Sequence, residues 1–149
     1  MDYKKQKKAA KEFADQWKGK GYEKGEAQVF WTELLRNVFD VKYASSLINF
    51  EEHTSGGGFI DGFIRDPGII IEQKGSNIDL DKPETRQGTE VTPFEQALRY
   101  AESFKQSQQP RFIITCNFGI FRVYDRDAHS RRGCGQKVGH SGVRIGVRM

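Results

Sequence analysis

The chain has 149 residues, a formal net charge of +4 and 36% hydrophobic residues, including eleven Phe. This length suits one domain with its own core, and the aromatic content argues against a disordered chain. Apolar runs such as Ile69–Ile71 are far shorter than the roughly 20 residues of a membrane helix. Two cysteines exclude a disulfide framework and a four-cysteine zinc site. We expect a cytoplasmic protein with reduced thiols, no secretory signal and no membrane partner.

The charge is unevenly distributed along the chain. Residues 126–149 hold six Lys or Arg and one Asp, which leaves 18 basic and 19 acidic residues in 1–125. DNA binding therefore cannot be inferred from the overall charge. We predict a domain over 1–125 and a basic, Gly-rich tail over 126–149. The tail is interpreted as mobile or as a truncated or out-of-frame end, with a weak strand at 143–147 as the alternative.

Two amphipathic helices are predicted first. Apolar residues at helical spacing indicate a helix from about Tyr3 to Trp17. A broader apolar stripe from Ala27 to Phe39 indicates a second helix. Glu23 and Glu26 lie near its start, where the helix dipole favours acidic residues.

Strand patterns follow at residues 47–52, 59–64 and 69–74. The turn at Asp66-Pro67-Gly68 joins the last two into a predicted hairpin. Residues 75–91 are polar and are predicted to form a long loop, a kind of segment that is usually functional or mobile.

A strong helix start closes this loop. Thr92 and Glu95 form a capping box with Pro93 at the first helical position, and the predicted helix extends to about Lys105. Strands are then predicted at 111–116 and 120–124. The order α-α-β-β-β-α-β-β predicts an α/β fold with a central mixed sheet flanked by helices.

The predicted hairpin carries the most informative charged residues. Because alternate strand residues share a face, Glu72 and Lys74 point the same way. Two registers of the hairpin are plausible. In each, the numbers of two residues that face each other across the two strands have a constant sum, which is 133 in the first register and 135 in the second. The first sets Asp61 opposite Glu72, the second sets it opposite Lys74, and both predict all three side chains on one face. Opposed Cβ atoms lie about 5 Å apart.

Two carboxylates at that distance repel each other unless something compensates. Mg²⁺ takes oxygen ligands and needs only one or two protein carboxylates plus substrate phosphate. Lys74 can orient an attacking water and stabilise the charge of a reacting phosphate. The alternatives are a solvated Glu-x-Lys pair, which is common in strands, or a structural ion-pair cluster.

Gln96 and Tyr100 add a further pattern. They are four residues apart on the predicted helix and therefore share a face, which is turned away from the centre of its apolar stripe. They can point toward a site, or they can form an ordinary polar helix face.

In this order, Asp61, Glu72-Gln73-Lys74 and Gln96-x-x-x-Tyr100 resemble the PD-(D/E)xK nuclease superfamily, in the branch with a Gln-x-x-x-Tyr helix. The resemblance is more specific to the N-terminal nuclease region of single-chain type II restriction–modification enzymes, in which a nuclease is joined to an adenine-specific DNA methyltransferase. It covers about residues 10–125. Further motifs that carry it are Gly25-Glu26-Ala27-Gln28-x-Phe30-Trp31, Pro93-Phe94-x-Gln96-Ala97 and Arg111-Phe112-Ile113-Ile114-Thr115-x-Asn117-Phe118.

The resemblance implies a restriction-endonuclease-like fold and Mg²⁺-dependent hydrolysis of double-stranded DNA, with Mn²⁺ able to substitute. It implies that Asp61 and Glu72 bind the metal, that the Gln73 backbone carbonyl assists, and that Lys74 serves the water. Glu26 is the best match for a further metal-binding acid on the preceding helix, with Glu23 possible and Glu33 less favoured. Gln96 and Tyr100 would support the site or contact DNA.

The sequence departs from that family in two ways. Ile60 stands where a Pro usually precedes the first Asp, and the chain has neither an adenine-methylation Asn-Pro-Pro-aromatic motif nor a cofactor-binding glycine loop. We therefore expect the nuclease portion alone, with a methyltransferase or DNA-specificity domain or subunit as its partner. The alternative is a catalytically silent module of the same fold that binds DNA or docks to such a partner.

Overall fold

A computed structural model describes residues 1–129 and 143–148, with side chains described over 1–127. Its helices are α1 (Tyr3–Trp17), α2 (Glu23–Glu33), α3 (Ala44–Leu47) and α4 (Pro93–Glu102), and a π-helical segment, Leu34–Val38, continues α2. The first predicted helix is confirmed at both ends, whereas the second is divided between α2 and the π-helical segment. Within the described residues, no helix is long and apolar enough to cross a membrane.

The strands that the structure describes form one large sheet and one small one. They are β1 (Asn49–His53), β2 (Phe59–Ile64), β3 (Ile69–Gln73), β4 (Glu84–Arg86), β5 (Thr89–Val91), β6 (Phe112–Cys116), β7 (Ile120–Asp125) and β8 (Val143–Arg148). The large sheet has the order β1-β2-β3-β6-β7-β8. The β3–β6 pair is parallel and the other pairs are antiparallel, which confirms the predicted mixed sheet.

Two segments differ from the expected element order. The predicted loop over 75–91 contains a separate hairpin, in which β4 pairs with β5. In the tail, β8 pairs with β7. The weak strand that the sequence offers at 143–147, as the alternative to a mobile tail, is therefore present in the structure. The rest of the tail prediction, over 130–142 and at residue 149, lies outside the described residues.

Helices cover the large sheet on both faces. Ile71 packs in a cluster with α1 and α2 residues such as Phe13, Trp17 and Phe30. Its neighbour Ile70 packs in another cluster, with residues of α4. Because adjacent strand residues point to opposite faces, the clusters lie on opposite sides of the sheet. Strand β3 is therefore a central strand whose end lies between α2 and α4.

The start of α4 is set by its capping box. The Thr92 side chain accepts a hydrogen bond from the Glu95 backbone N–H, and the Glu95 carboxylate accepts one from the Thr92 backbone N–H. These contacts satisfy backbone groups that a helix start otherwise leaves unpaired. They begin the helix at Pro93, which places Gln96 and Tyr100 on consecutive turns beside the end of β3.

Candidate active site

The predicted hairpin register with residue numbers summing to 133 is the observed one. The β2–β3 ladder pairs Ile64 with Ile69 and Gly62 with Ile71. Beyond that pair, Asp61 Oδ2 accepts a hydrogen bond from the Gln73 backbone N–H at 2.8 Å. The Asp61 side chain therefore joins β2 to β3 at the point where the backbone pairing of these two strands ends.

The three charged residues of the predicted hairpin lie near one another. Glu72 and Lys74 share a face as predicted, because their charged groups are in contact. Asp61 borders a cavity of about 490 Å³ together with Ile71 and Gln73, and its charge is close enough to contribute to the raised pKa of Glu72.

Glu72 and Lys74 form a buried ion pair. Lys74 Nζ lies 2.8 Å from Glu72 Oε1, and each side chain is 2% exposed. The other carboxylate oxygen, Glu72 Oε2, is buried and has no hydrogen-bond partner among the described residues. Burying both charges costs several kcal/mol per ion, which such pairs often fail to recover. The Glu72–Lys74 pair is therefore not expected to contribute much to the stability of the fold, and it is a candidate functional group.

The two carboxylates have raised pKa values. Burial raises the pKa of Glu72 to about 8, with a further contribution from the Asp61 charge and an opposing one from Lys74. Burial also raises the pKa of Asp61, against the lowering effects of the Gln73 N–H and the Lys74 charge. Both acids are thus destabilised as anions, a condition that a bound cation would relieve.

A pH dependence of stability follows from Glu72. Its pKa rises from 4.5 to about 8 on folding, so the folded state binds more protons between these values and stability falls as pH rises through that window. Between pH 5.5 and 8, we expect the free energy of unfolding of the metal-free protein to fall by about 3 kcal/mol more than that of Glu72→Gln. Urea unfolding of both proteins in chelator measures this difference. Equal pH slopes would contradict the raised pKa.

The predicted Gln-x-x-x-Tyr residues lie at the site. Lys74 Nζ donates to Gln96 Oε1 at 3.2 Å, and Gln96 Nε2 donates to the Tyr100 hydroxyl at 3.4 Å. Helix α4 therefore holds the lysine from the side opposite α1 and α2. A contact of these residues with DNA stays a prediction.

Sequence reasoning did not identify Glu84 of β4. Its Oε2 lies 3.7 Å from Lys74 Nζ and 3.7 Å from Arg86 Nη2. The sequence predicts a polar loop for this segment, and no spacing rule connects a loop side chain to the sheet. Residues 84–90 are all polar or Gly, so hydrophobic alternation gives no signal for the hairpin.

The acids of α2 have different partners. Glu26, the favoured helix acid, accepts hydrogen bonds from the Gly21 and Tyr22 backbone N–H groups, which lower its pKa. Glu33 accepts from Trp17 Nε1 at 3.0 Å. Glu23 accepts from the Gly75 N–H at 3.1 Å, and it shares the cavity with Asp61. The geometry favours Glu23 as the helix acid of the site, while Glu26 stabilises the start of its own helix.

Gln73 connects the site to the aromatic core. Trp31 Nε1 donates to Gln73 Oε1 at 2.8 Å, and Gln73 Nε2 donates to the Lys74 backbone carbonyl at 2.9 Å. Both contacts are buried, and they hold the Gln73 side chain and the backbone carbonyl of Lys74 in place at the end of β3. The predicted metal contact of the Gln73 carbonyl stays a prediction.

The residues present fit a hard divalent cation. Asp61 and Glu72 supply carboxylate oxygens, and the buried Glu72 Oε2 is an acceptor without a described partner. Among the described side chains, over 1–127, no group of three or more His, Cys, Asp or Glu is placed to hold a metal. Mg²⁺ can bind through one or two carboxylates and keeps several waters, and its binding here stays a prediction.

The fold and the site together define a class of protein. A mixed sheet with helices on both faces is consistent with a restriction-endonuclease-like α/β fold. The sequence model of the family described as the MmeI N-terminal domain matches residues 8–140. The chain belongs to this family, the N-terminal domain of a type II restriction–modification enzyme. No curated protein and no solved structure gives a significant match.

Proposed function

We propose that this chain is the metal-dependent DNA endonuclease domain of a restriction–modification system and hydrolyses phosphodiester bonds. The observation that carries the proposal is the buried Glu72–Lys74 pair beside Asp61, with one Glu72 oxygen lacking a described partner. Membership of the MmeI N-terminal family supports the restriction–modification context. It also supports double-stranded DNA as substrate and a methyltransferase or specificity domain or subunit as partner.

Each site residue has a role in the proposed hydrolysis. Asp61 and Glu72 would hold Mg²⁺, or Mn²⁺ in its place, and the Gln73 carbonyl would assist. When bound, the cation supplies Lewis-acid stabilisation of phosphate charge and a lower pKa for the attacking water. The Lys74 ammonium orients that water and stabilises the negative charge that develops on the phosphate. Gln96 holds the ammonium through its side-chain oxygen, and Tyr100 supports Gln96.

Nicking of supercoiled plasmid tests the proposal. The purified chain is incubated with Mg²⁺, Mn²⁺ or chelator, beside Asp61→Ala and the exposed control Asp15→Ala on α1. We expect metal-dependent nicking by the wild type and by Asp15→Ala, and none by Asp61→Ala. Nicking that persists in Asp61→Ala, or in chelator, would overturn the assignment.

A second candidate is a catalytically silent module that binds DNA or docks to a methyltransferase. The observation that favours it is the burial of Lys74, which is 1% exposed and is in contact with the side chains of Glu72, Glu84 and Gln96. DNA binding without metal, together with no nicking by any version of the chain, would favour this candidate over the endonuclease.

The acids of α2 give a prediction about metal affinity. Glu23 shares the Asp61 cavity, whereas Glu26 is committed to the Gly21 and Tyr22 N–H groups. We expect Glu23→Gln to weaken Mn²⁺ binding about tenfold, by analogy with other supporting ligands of metal sites. Glu26→Gln keeps an acceptor oxygen and is expected to leave affinity unchanged. Isothermal titration calorimetry compares the two, and the reverse order would restore Glu26 as the helix ligand.

A further inference from the structure

Side chains from separate elements surround the Lys74 ammonium. In the described part of the chain, its Nζ lies 2.8 Å from Glu72 Oε1, 3.2 Å from Gln96 Oε1 and 3.7 Å from Glu84 Oε2. The first partner belongs to the same strand and the second to α4. Glu84 belongs to the β4–β5 hairpin, which is a sheet of its own. The hairpin therefore reaches the site through a carboxylate.

Glu84 and Gln96 also line a groove of about 1020 Å³ bordered by Arg86, Arg99 and Tyr100. The Glu84 side chain is 30% exposed, while that of Lys74 is 2% exposed. The lysine is thus separated from this groove by partners that face solvent. Movement of Glu84 would change both the position of the ammonium and its access to the groove.

The charge balance around Lys74 would change when a cation binds. A cation at Asp61 and Glu72 would take up the Glu72 carboxylate charge that otherwise balances Lys74. Among the described ion pairs of Lys74, the one with Glu84 then remains, and Arg86 Nη2 lies 3.7 Å from the same Glu84 oxygen. Gln96 is neutral and contributes a hydrogen bond without a charge.

We infer that Glu84 is a positioning residue, which holds the Lys74 ammonium between Glu72 and Gln96 while the carboxylates bind metal. This inference rests on the proposed endonuclease function for its kinetic consequence. Its structural consequence, the confinement of Lys74, does not depend on whether the chain cleaves DNA.

Chemical labelling tests the confinement without any cleavage assay. Reductive methylation of the folded chain, followed by peptide mass spectrometry, gives the modification rate of Lys74, with the exposed Lys82 as internal reference. We expect Glu84→Gln to raise the methylation rate of Lys74 about fivefold, because the loss of one partly exposed ion pair corresponds to a change of about this size. Glu90→Gln, an exposed acid on the same hairpin, is the matched control and is expected to leave the rate unchanged. Equal rates in all three proteins would overturn the inference.

Kinetics then test the consequence for the reaction. In single-turnover cleavage with Mg²⁺, we expect Glu84→Gln to lower the rate about tenfold, as is common for residues that orient catalytic groups. DNA affinity, measured with Ca²⁺ in place of Mg²⁺, is expected to stay unchanged. Glu84→Asp keeps the charge and is expected to recover part of the rate. Weaker DNA binding with an unchanged cleavage rate would overturn the positioning role.

The two assays separate the possible failures. A wild-type chain that does not cleave, but whose Lys74 labels faster in Glu84→Gln, would refute the proposed function and retain the positioning contact. A chain that cleaves, with Glu84→Gln equal to wild type in labelling and in rate, would refute the role of Glu84 and retain the endonuclease.

Discussion

Replacing Lys74 with methionine is expected to abolish DNA cleavage and to lower the free energy of unfolding by about 3 kcal/mol. The substitution keeps most of the side-chain volume but removes the positive charge that lies 2.8 Å from Glu72 Oε1. Glu72 is then left as a buried acid without its counter-charge, and protonation recovers only part of the loss. Urea unfolding and plasmid nicking measure the two effects.

A double substitution distinguishes catalysis from stability at this position. Glu72→Met combined with Lys74→Met removes both buried charges, and such replacements are often neutral or stabilising. We expect the double variant to be more stable than Lys74→Met alone and equally inactive. The exposed Lys82→Met is the matched control and is expected to change neither property. A double variant no more stable than the single one would show that the ion pair is not the source of the stability loss.

Replacing Phe30 with alanine is expected to lower the free energy of unfolding by about 4 kcal/mol. Phe30 is fully buried, and its ring centroid lies 5.0–5.9 Å from those of its aromatic neighbours. These neighbours are Phe13, Trp17, Trp31, Phe118 and Phe121. Removing the ring leaves a cavity where α1, α2 and the sheet meet.

Chemical denaturation measures this loss, and the same helix provides a control. Val29 is 52% exposed, so Val29→Ala is expected to change stability by less than about 0.5 kcal/mol. A loss below about 1.5 kcal/mol for Phe30→Ala would mean that neighbouring rings close over the cavity. Because Trp31 donates to Gln73, we also expect the end of β3 to become less ordered in Phe30→Ala.

The burial of Lys74 matters for both proposed functions. A lysine that acts on a phosphate must be near the substrate, yet this one is enclosed by Glu72, Gln96 and Glu84. Two of these partners face the groove beside Arg86 and Arg99. In an active endonuclease, that groove is the side from which a phosphate would approach the ammonium. In a silent module, the same contacts would simply hold Lys74 in place.

Much of this protein could be predicted from local patterns in its sequence. The apolar spacing of α1, the capping box of α4 and the alternation of β2 and β3 depend on residues close in the chain, which short-range rules describe. The hairpin turn also limited the register to two choices, of which one is observed. Asp61, Glu72 and Lys74 could therefore be grouped before any tertiary contact was known.

Tertiary structure decided the contacts that join distant segments. The β4–β5 hairpin brings Glu84 to Lys74. At the start of α2, it is Glu23, and not Glu26, that accepts a hydrogen bond from the Gly75 N–H. The described end of the β2–β3 ladder turns Asp61 toward the Gln73 N–H. Local composition determined most of the helices and strands and the acid–lysine group, but not the β4–β5 hairpin. Only packing determined their partners, because burial and long-range hydrogen bonds depend on segments that no spacing rule relates.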